Sequence, residues 1–209
     1  MKPYLKLLTT FLVLSLWWQN ADAQSDETSQ FLLKSPLKFS GFGAPVYEFS
    51  DINGDFAVAT GGGGALLINQ QIFIGLYRLG SNQHTQVVIN SEQFNHARLH
   101  FGYGGLWLGY IHRAHELIHY GVSTKIGGGN IELTDDDVRL SDEEREIGHE
   151  EVFVFTPQVE VEVNVLKWLK LNAGLGYRVV TEVDLADFRN RDFSSVQGTF
   201  TLMFGWFNQ

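Results

Sequence analysis

Apolar and polar residues alternate with a period of two in three successive segments between residues 151 and 207. This pattern constrains the fold of the chain more than any other feature. In the first segment one face carries Val159, Val161 and Val163, and the other carries Gln158, Glu160 and Glu162. A period of two places successive side chains on opposite sides of a β-strand. The sequence therefore predicts an all-β protein whose strands are apolar on one side only.

Eight strand-like segments follow from this pattern and from the turn residues between them. Their predicted limits are 37–48, 55–68, 72–80, 97–111, 117–130, 151–165, 169–183 and 195–207. Tight connections at 69–71, 112–116 and 166–168 alternate with longer ones at 49–54, 81–96, 131–150 and 184–194. An up-and-down antiparallel sheet with this alternation has all its tight turns at one end. Outer-membrane barrels have that layout, so we predict an eight-stranded antiparallel up-and-down transmembrane β-barrel.

The first residues have the pattern of an export signal. A positively charged start and an apolar stretch over residues 7–18 precede a small-x-small cleavage site. Ala21 and Ala23 form that site, and cleavage would make Gln24 the first mature residue. A retained membrane anchor is the alternative. The predicted organisation is a cleaved signal peptide (1–23), a polar leader (24–36) and a β-barrel (37–207).

Charge and composition exclude several classes of protein. The 209 residues contain no cysteine, which excludes disulfide frameworks and thiolate zinc sites. A net charge of −9 disfavours a nucleic-acid partner, because no basic face is available to neutralise phosphates. Beyond the first 20 residues no apolar run approaches the ~18 residues that a membrane-spanning helix needs.

The polar faces of the strands favour a membrane barrel over a soluble one. We expect a paired lumen network of Glu160, Glu162, Asn164, Lys170, Arg178 and Glu182. A girdle of Tyr110, Trp168, Trp206 and Phe207 falls next to the tight turns, as at a membrane interface. In the alternative, a soluble periplasmic lipocalin-like barrel, the same polar residues would form a solvated exterior.

Several segments resemble those of a known family. They are Ile52 to Val58 leading into Gly61 to Gly64, Phe101 to Leu106, Ile126 to Gly129, and the closing strand from Val196 to Phe207. With these, the chain resembles the small outer-membrane β-barrel proteins of Gram-negative bacteria, particularly the glycine-rich ones of Bacteroidota-type bacteria. The resemblance implies insertion by the barrel-assembly machinery, although Asn208 and Gln209 follow the usual final aromatic. It implies no reaction and no ligand.

A literal H-E-x-x-H motif, His115, Glu116 and His119, offers a zinc-peptidase alternative. One zinc ion requires its two imidazole nitrogens within about 4 Å of each other. Positions i and i+4 meet this on a helix, where they rise about 6 Å along one face, but on a strand they lie about 13 Å apart. The glycine-containing flanks favour a strand, so a metal site here is the less favoured hypothesis.

The sequence therefore predicts an integral outer-membrane barrel that is not an enzyme and carries no cofactor. Its role would be structural or surface-binding through extracellular loops, with the lumen filled by side chains. Passage of a small solute is the alternative. Outer-membrane lipid and the assembly machinery are the expected partners of a monomer, with the surface ligand unknown. The acidic 131–150 segment is predicted to be the most exposed and mobile loop, with binding of divalent cations as a lesser alternative.

Overall fold

The computed structural model of the protein describes residues 36–89, 92–135, 145–185 and 188–207. The predicted signal peptide and all of the leader except Pro36 lie outside these residues. The strands are β1 (Phe39–Ile52), β2 (Asp55–Ile68), β3 (Ile72–Ile89), β4 (Glu92–His112), β5 (Ile118–Asp135), β6 (Arg145–Leu166), β7 (Leu169–Thr181) and β8 (Ser195–Trp206). A short helix, α1 (Asn190–Phe193), precedes β8.

The eight strands form one closed barrel. Each strand pairs antiparallel with the next along the chain, and β1 pairs with β8 to close the sheet. Gly41 lies opposite Trp206 near one end of this seam, and Phe49 lies opposite Gly198 farther along it. The prediction of an eight-stranded antiparallel up-and-down barrel is confirmed.

The four strands β3 to β6 are longer than predicted. The sequence predicts loops over 81–96 and 131–150, but β3 and β4 occupy most of the first segment. β5 and β6 occupy the two ends of the second, and residues 136–144 lie outside the described residues. The loop predictions are therefore wrong wherever these segments are described.

These strands extend farther because side chains continue to alternate between the two faces, although the outward face is now polar and the inward face apolar. Ile131 and Leu133 of β5 are fully buried, whereas Glu132 between them is half-exposed. A strand tolerates this acidic residue because its side chain lies on the outward face. Charge in the sequence indicated a loop, although only one face of the strand is charged.

The first connection is also shorter than predicted. Asn53 and Gly54 form a two-residue turn with φ of 56° and 85°. Positive φ at both central residues is the geometry that Asn-Gly favours in a type I′ hairpin. This tight turn lies at the same end as the two longest hairpins, so connections do not alternate strictly between long and short.

The exterior of the barrel is apolar over much of its height. The outward faces expose large hydrophobic side chains from every strand, including Phe39, Leu66, Leu76, Leu106, Val122, Val161, Leu175 and Trp206. The inward faces of β1 and of β5 to β8 bury many polar side chains, whereas those of β2 to β4 bury mainly apolar and aromatic ones such as Leu67, Phe73 and Trp107. Among the described residues, no helix has the length and apolar character needed to cross a lipid bilayer.

Candidate functional site: the polar interior of the barrel

Arg178 is the centre of a buried ion-pair network in the half of the barrel that lies away from the turn between β2 and β3. Its Nη1 lies 2.9 Å from Glu48 Oε1 and donates to Ser50 Oγ at 3.1 Å. The Tyr103 hydroxyl donates to the same Glu48 oxygen. Arg178 and Glu48 are completely buried, and a buried charge without a partner is costly. The strands that carry these residues are therefore held together across the lumen.

Lys125 adds a second cation beside the same carboxylate. Its Nζ lies 3.8 Å from Glu48 Oε2, and it is 5.7–5.8 Å from the ring centroids of Tyr77 and Trp107. Arg178 in turn lies 5.3 Å from the ring centroid of Phe101. Aromatic faces stabilise such cations when water is largely excluded.

The helix α1 and the described residues beside it lie over the end of the barrel opposite the turn between β2 and β3. Arg178 Nε donates to the carbonyl oxygen of Phe193 at 2.9 Å, and Asn53 N donates to that of Asp192 at 2.6 Å. Phe193 is completely buried and packs edge-on against Phe101 and Phe188. The helix α1 is thereby fixed to the charged network below it.

Glu160 lies at the centre of a polar cluster at mid-height. Its Oε1 accepts a hydrogen bond from Ser123 Oγ at 2.7 Å and one from the Gln158 amide. Its Oε2 accepts from Asn172 Nδ2 at 3.2 Å. β5, β6 and β7 each contribute a side chain to this cluster, so the carboxylate links three strands.

A third cluster surrounds Glu162 near the tight turns. Lys170 Nζ lies 2.6 Å and His119 Nε2 lies 2.7 Å from Glu162 Oε1. Asn164 Nδ2 donates to the carbonyl oxygens of Ala114 and Glu116 at 3.0 and 2.7 Å, which anchors the β4–β5 turn. In the described chain, the buried acids Glu48, Glu160 and Glu162 are matched by Lys125, Lys170 and Arg178.

Some buried polar atoms have no hydrogen-bond partner among the described residues. They include Tyr77 OH, Lys125 Nζ, Thr199 Oγ1 and both amide atoms of Gln197. Ordered water commonly satisfies such groups in protein interiors. The interior can therefore hold water between the charged clusters.

The structure corrects two of the predicted site residues. Glu182 lies beyond the end of β7, is exposed and has a φ of 73°, so it stands outside the interior network. Phe207 is buried, and its ring lies 4.5 Å from Lys170 Nζ. It follows Trp206, which faces outward, so strand alternation turns Phe207 inward and out of the predicted girdle.

The other predicted site residues have the following positions. Glu160, Glu162, Lys170 and Arg178 are buried on inward faces, and Asn164 is half-buried beside the β4–β5 turn. Tyr110, Trp168 and Trp206 are exposed near the tight-turn end.

Comparison with known proteins identifies the architecture. No family model and no curated protein matches the chain. Among solved structures, it resembles Neisserial surface protein A with a TM-score of 0.50 and 8% identity, over 82% of this chain and 99% of that one. It also resembles the N-terminal β-barrel domain of Pseudomonas aeruginosa OprF, with a TM-score of 0.48 and 12% identity over 80% and 97% of the chains. A third is the attachment invasion locus protein Ail of Yersinia pestis, with a TM-score of 0.45 and 11% identity over 80% of this chain and 97% of that one. At 8% identity, the likeness to Neisserial surface protein A shows a shared fold and no more.

The H-E-x-x-H residues do not form the helical site that a zinc peptidase needs. His115 and Glu116 lie in the β4–β5 turn and are exposed, whereas His119 is buried on β5 against Glu162. No three histidine, aspartate or glutamate side chains converge into a metal-binding group within the described part of the chain. Glu162 Oε1 is the side-chain partner of His119, at 2.7 Å from its Nε2.

Sequence analysis missed the residues that the first five strands contribute to the interior. Glu48, Tyr103 and Lys125 were not among the predicted lumen residues, although all three are buried there. Glycine occupies many positions of these strands and obscures the period of two. An isolated charge such as Glu48, within an apolar stretch, was the signal available.

Proposed function

We propose that the protein is an integral outer-membrane barrel, closed to solutes, that presents a β-sheet on the cell surface for binding. The observation that carries this proposal is a change in the polarity of the outward face along β3 to β6. Near the tight turns the outward side chains of these strands are apolar. Farther along, the outward side chains Asn82, His100, Glu132 and His149 are polar, while Leu99, Ile131 and Leu133 lie inward. A membrane surrounding the first part and water surrounding the second would account for both.

The apolar part favours a lipid environment over a soluble lipocalin-like barrel. Leu66, Leu76 and Trp206 are each more than 60% exposed. A soluble barrel would bury such residues inside and show polar ones to water. Tyr110, Trp168 and Trp206 lie where an interfacial aromatic girdle is expected.

The far ends of the same strands have the pattern of a soluble sheet. Leu99 and Leu133 are buried inward, whereas His149 is exposed. Outward side chains bond to one another: His100 Nδ1 lies 2.6 Å from Asn82 Oδ1, and Asn130 donates to Glu132. These polar contacts favour a position above the bilayer.

The far ends of β3 to β6 form a sheet that we call the protruding sheet, and two of its edges are not paired in the described chain. β3 pairs with β2 only as far as Gly80, and β6 pairs with β7 only from Phe153 toward the tight turns. The β3 residues up to Ile89 therefore pair on one side only. An unpaired edge can accept an extended segment of a partner through main-chain hydrogen bonds. This favours surface binding over a purely structural role.

The interior favours a closed barrel over passage of a small solute. Arg178, Glu48 and the β7–β8 segment fill the outer mouth, and the Glu162 cluster fills the other end. An eight-stranded barrel is just wide enough for side chains to fill. The proposal includes neither a reaction nor a cofactor.

Biogenesis and source follow the same proposal. Export through the predicted signal peptide, insertion by the barrel-assembly machinery and a monomeric state are its expectations. A Bacteroidota-type source rests on the glycine-rich resemblance alone.

Fractionation of cells that express the full chain tests the location. We expect the protein in the outer-membrane fraction, resistant to extraction by sodium carbonate. Recovery of folded protein from the periplasmic soluble fraction would support the lipocalin-like alternative and contradict the proposal.

A further inference from the structure

Arg78 is an exposed cation on the apolar outer wall of the barrel. On the same face of β3 it follows Ile74 and Leu76, both of which are exposed. It lies six residues beyond Ile72. That is about 20 Å along the strand and, at the usual tilt of membrane strands, about 15 Å in height. A membrane barrel has an apolar band about 25 Å tall, so Arg78 falls in its outer half.

The described residues supply no partner for this charge. The cross-strand neighbours of Arg78 are Gly62 on β2 and Gly104 on β4, which have no side chains. Within the described part of the chain, its guanidinium makes no hydrogen bond and no ion pair. An unpaired arginine facing hydrocarbon is costly, so an anion from outside the chain would stabilise it there.

A groove of about 340 Å³ adjoins Arg78 on the outer surface. Gly102, Gly104 and Gly128 contribute to its floor, and Asn130 lies at its far end. A Cβ built at Gly128 would meet no atom closer than 3.8 Å, so packing within the barrel does not require glycine there. The space above these backbones is open to a ligand.

We propose that this groove binds the phosphate of a lipid headgroup, with Arg78 as its cation. The inference rests on the membrane location proposed above. A guanidinium pairs well with phosphate oxygens, and a long arginine side chain reaches from the apolar band toward the headgroups. The exposed Leu76 and Leu106 lie next to the groove on its tight-turn side, where acyl chains would pack.

Charge sets the orientation of the headgroup in the groove. Glu132 and Glu151 lie on β5 and β6, beside Asn130 and away from β3. These carboxylates repel phosphate, so the phosphate lies at the Arg78 end. The uncharged polar part of the headgroup then lies toward Asn130.

Native mass spectrometry of the full chain, released from detergent micelles, tests the site. Dioleoyl phosphatidic acid is the probe, and dioleoylglycerol, which lacks the phosphate, is its control. We expect the wild-type protein to retain phosphatidic acid at least about tenfold more strongly than Arg78→Gln. The wild-type protein should retain dioleoylglycerol no better than the Arg78→Gln variant retains phosphatidic acid.

Two leucine substitutions distinguish the effect of filling the groove from the effect of adding a bulky side chain elsewhere on the barrel wall. Gly128→Leu should weaken retention of phosphatidic acid. Gly43→Leu, on the opposite wall, should leave retention unchanged, because a Cβ there has no atom within 4 Å. Equal loss in both variants would overturn the proposal.

Three further outcomes would also contradict it. They are equal retention by wild type and Arg78→Gln, retention of dioleoylglycerol as strong as that of phosphatidic acid, and complete displacement of the lipid by an excess of inorganic phosphate. If wild type fractionates with membranes in each of these cases, only this inference fails. Recovery of the wild type in the soluble fraction would instead refute the proposed function.

Discussion

At the scale of single residues, stability depends on pairing charges inside the barrel. Arg178 makes hydrogen bonds to side chains or carbonyl groups from β1, from β4 and from the segment before β8. Its removal would leave the Glu48 carboxylate buried, with Lys125 at 3.8 Å as the nearest remaining cation.

Arg178→Met should therefore destabilise the protein by about 3–5 kcal/mol, the usual cost of leaving one partner of a buried ion pair. Adding Glu48→Gln should restore only part of the loss, because it rebalances the buried charge but leaves Lys125 without its nearest carboxylate. Urea unfolding in micelles, followed by tryptophan fluorescence, measures both. Arg191→Met is the control, since this side chain is 78% exposed and an exposed ion pair contributes at most about 1 kcal/mol. Equal losses for Arg178→Met and Arg191→Met would contradict the network.

A second residue-scale prediction concerns the close approach of β4 and β5. A Cβ built at Gly127 would lie 1.9 Å from the carbonyl oxygen of Gly104, which no side chain can tolerate. Gly127→Val should therefore prevent folding or strongly reduce it. Gly198→Val should fold normally, because a Cβ there has no atom within 4 Å. The heat-dependent gel mobility of folded barrels measures the folded fraction, and similar fractions for both variants would refute the close approach.

At the scale of elements, the sequence predicted a strand best where one polarity pattern covers its whole length or where a turn bounds it at each end. The predicted limits of β7 and β8 agree with the structure within two residues, and those of β2, which lies between two tight turns, agree with it fully. The predictions for β3 to β6 stopped where the outward face becomes polar, near Asn82, His100 and Glu132. The alternation with a period of two continues there, but the polar side chains now lie on the outward face and the apolar ones on the inward face. The sequence alone does not show where this change occurs.

The outer half of the β3–β4 hairpin should be dispensable for folding. Its β3 part pairs only with β4 in the described chain. Replacement of residues 84–98 by Asn-Gly would connect the paired Gln83 and Leu99 through a two-residue type I′ turn. We expect the heat-dependent gel mobility shift of the folded barrel to be retained. Loss of that shift would show that the outer part of this hairpin is needed for folding and would contradict the prediction.

At the scale of the whole molecule, the proposed function is that of a barrel that seals rather than conducts. The residues around α1 lie over one end of the barrel, and charged clusters occupy both halves of the interior.

Planar-bilayer recordings of the purified wild type should therefore show no large, steady conductance. Arg178→Met should increase brief openings, because the anchor of Phe193 is lost. Arg191→Met should behave as the wild type. A wide and stable channel in the wild type would contradict the closed lumen.

The central claim is that a membrane surrounds the apolar part of the barrel and that the long hairpins emerge from it on the cell surface. The natural absence of cysteine allows single cysteines to report this with a membrane-impermeant maleimide. On intact cells we expect labelling of Glu132→Cys and His149→Cys, none of Val161→Cys, and labelling of Glu116→Cys only after lysis. Labelling of Val161→Cys in the folded protein would contradict a lipid-covered wall, and labelling of Glu116→Cys but not Glu132→Cys on intact cells would contradict the orientation.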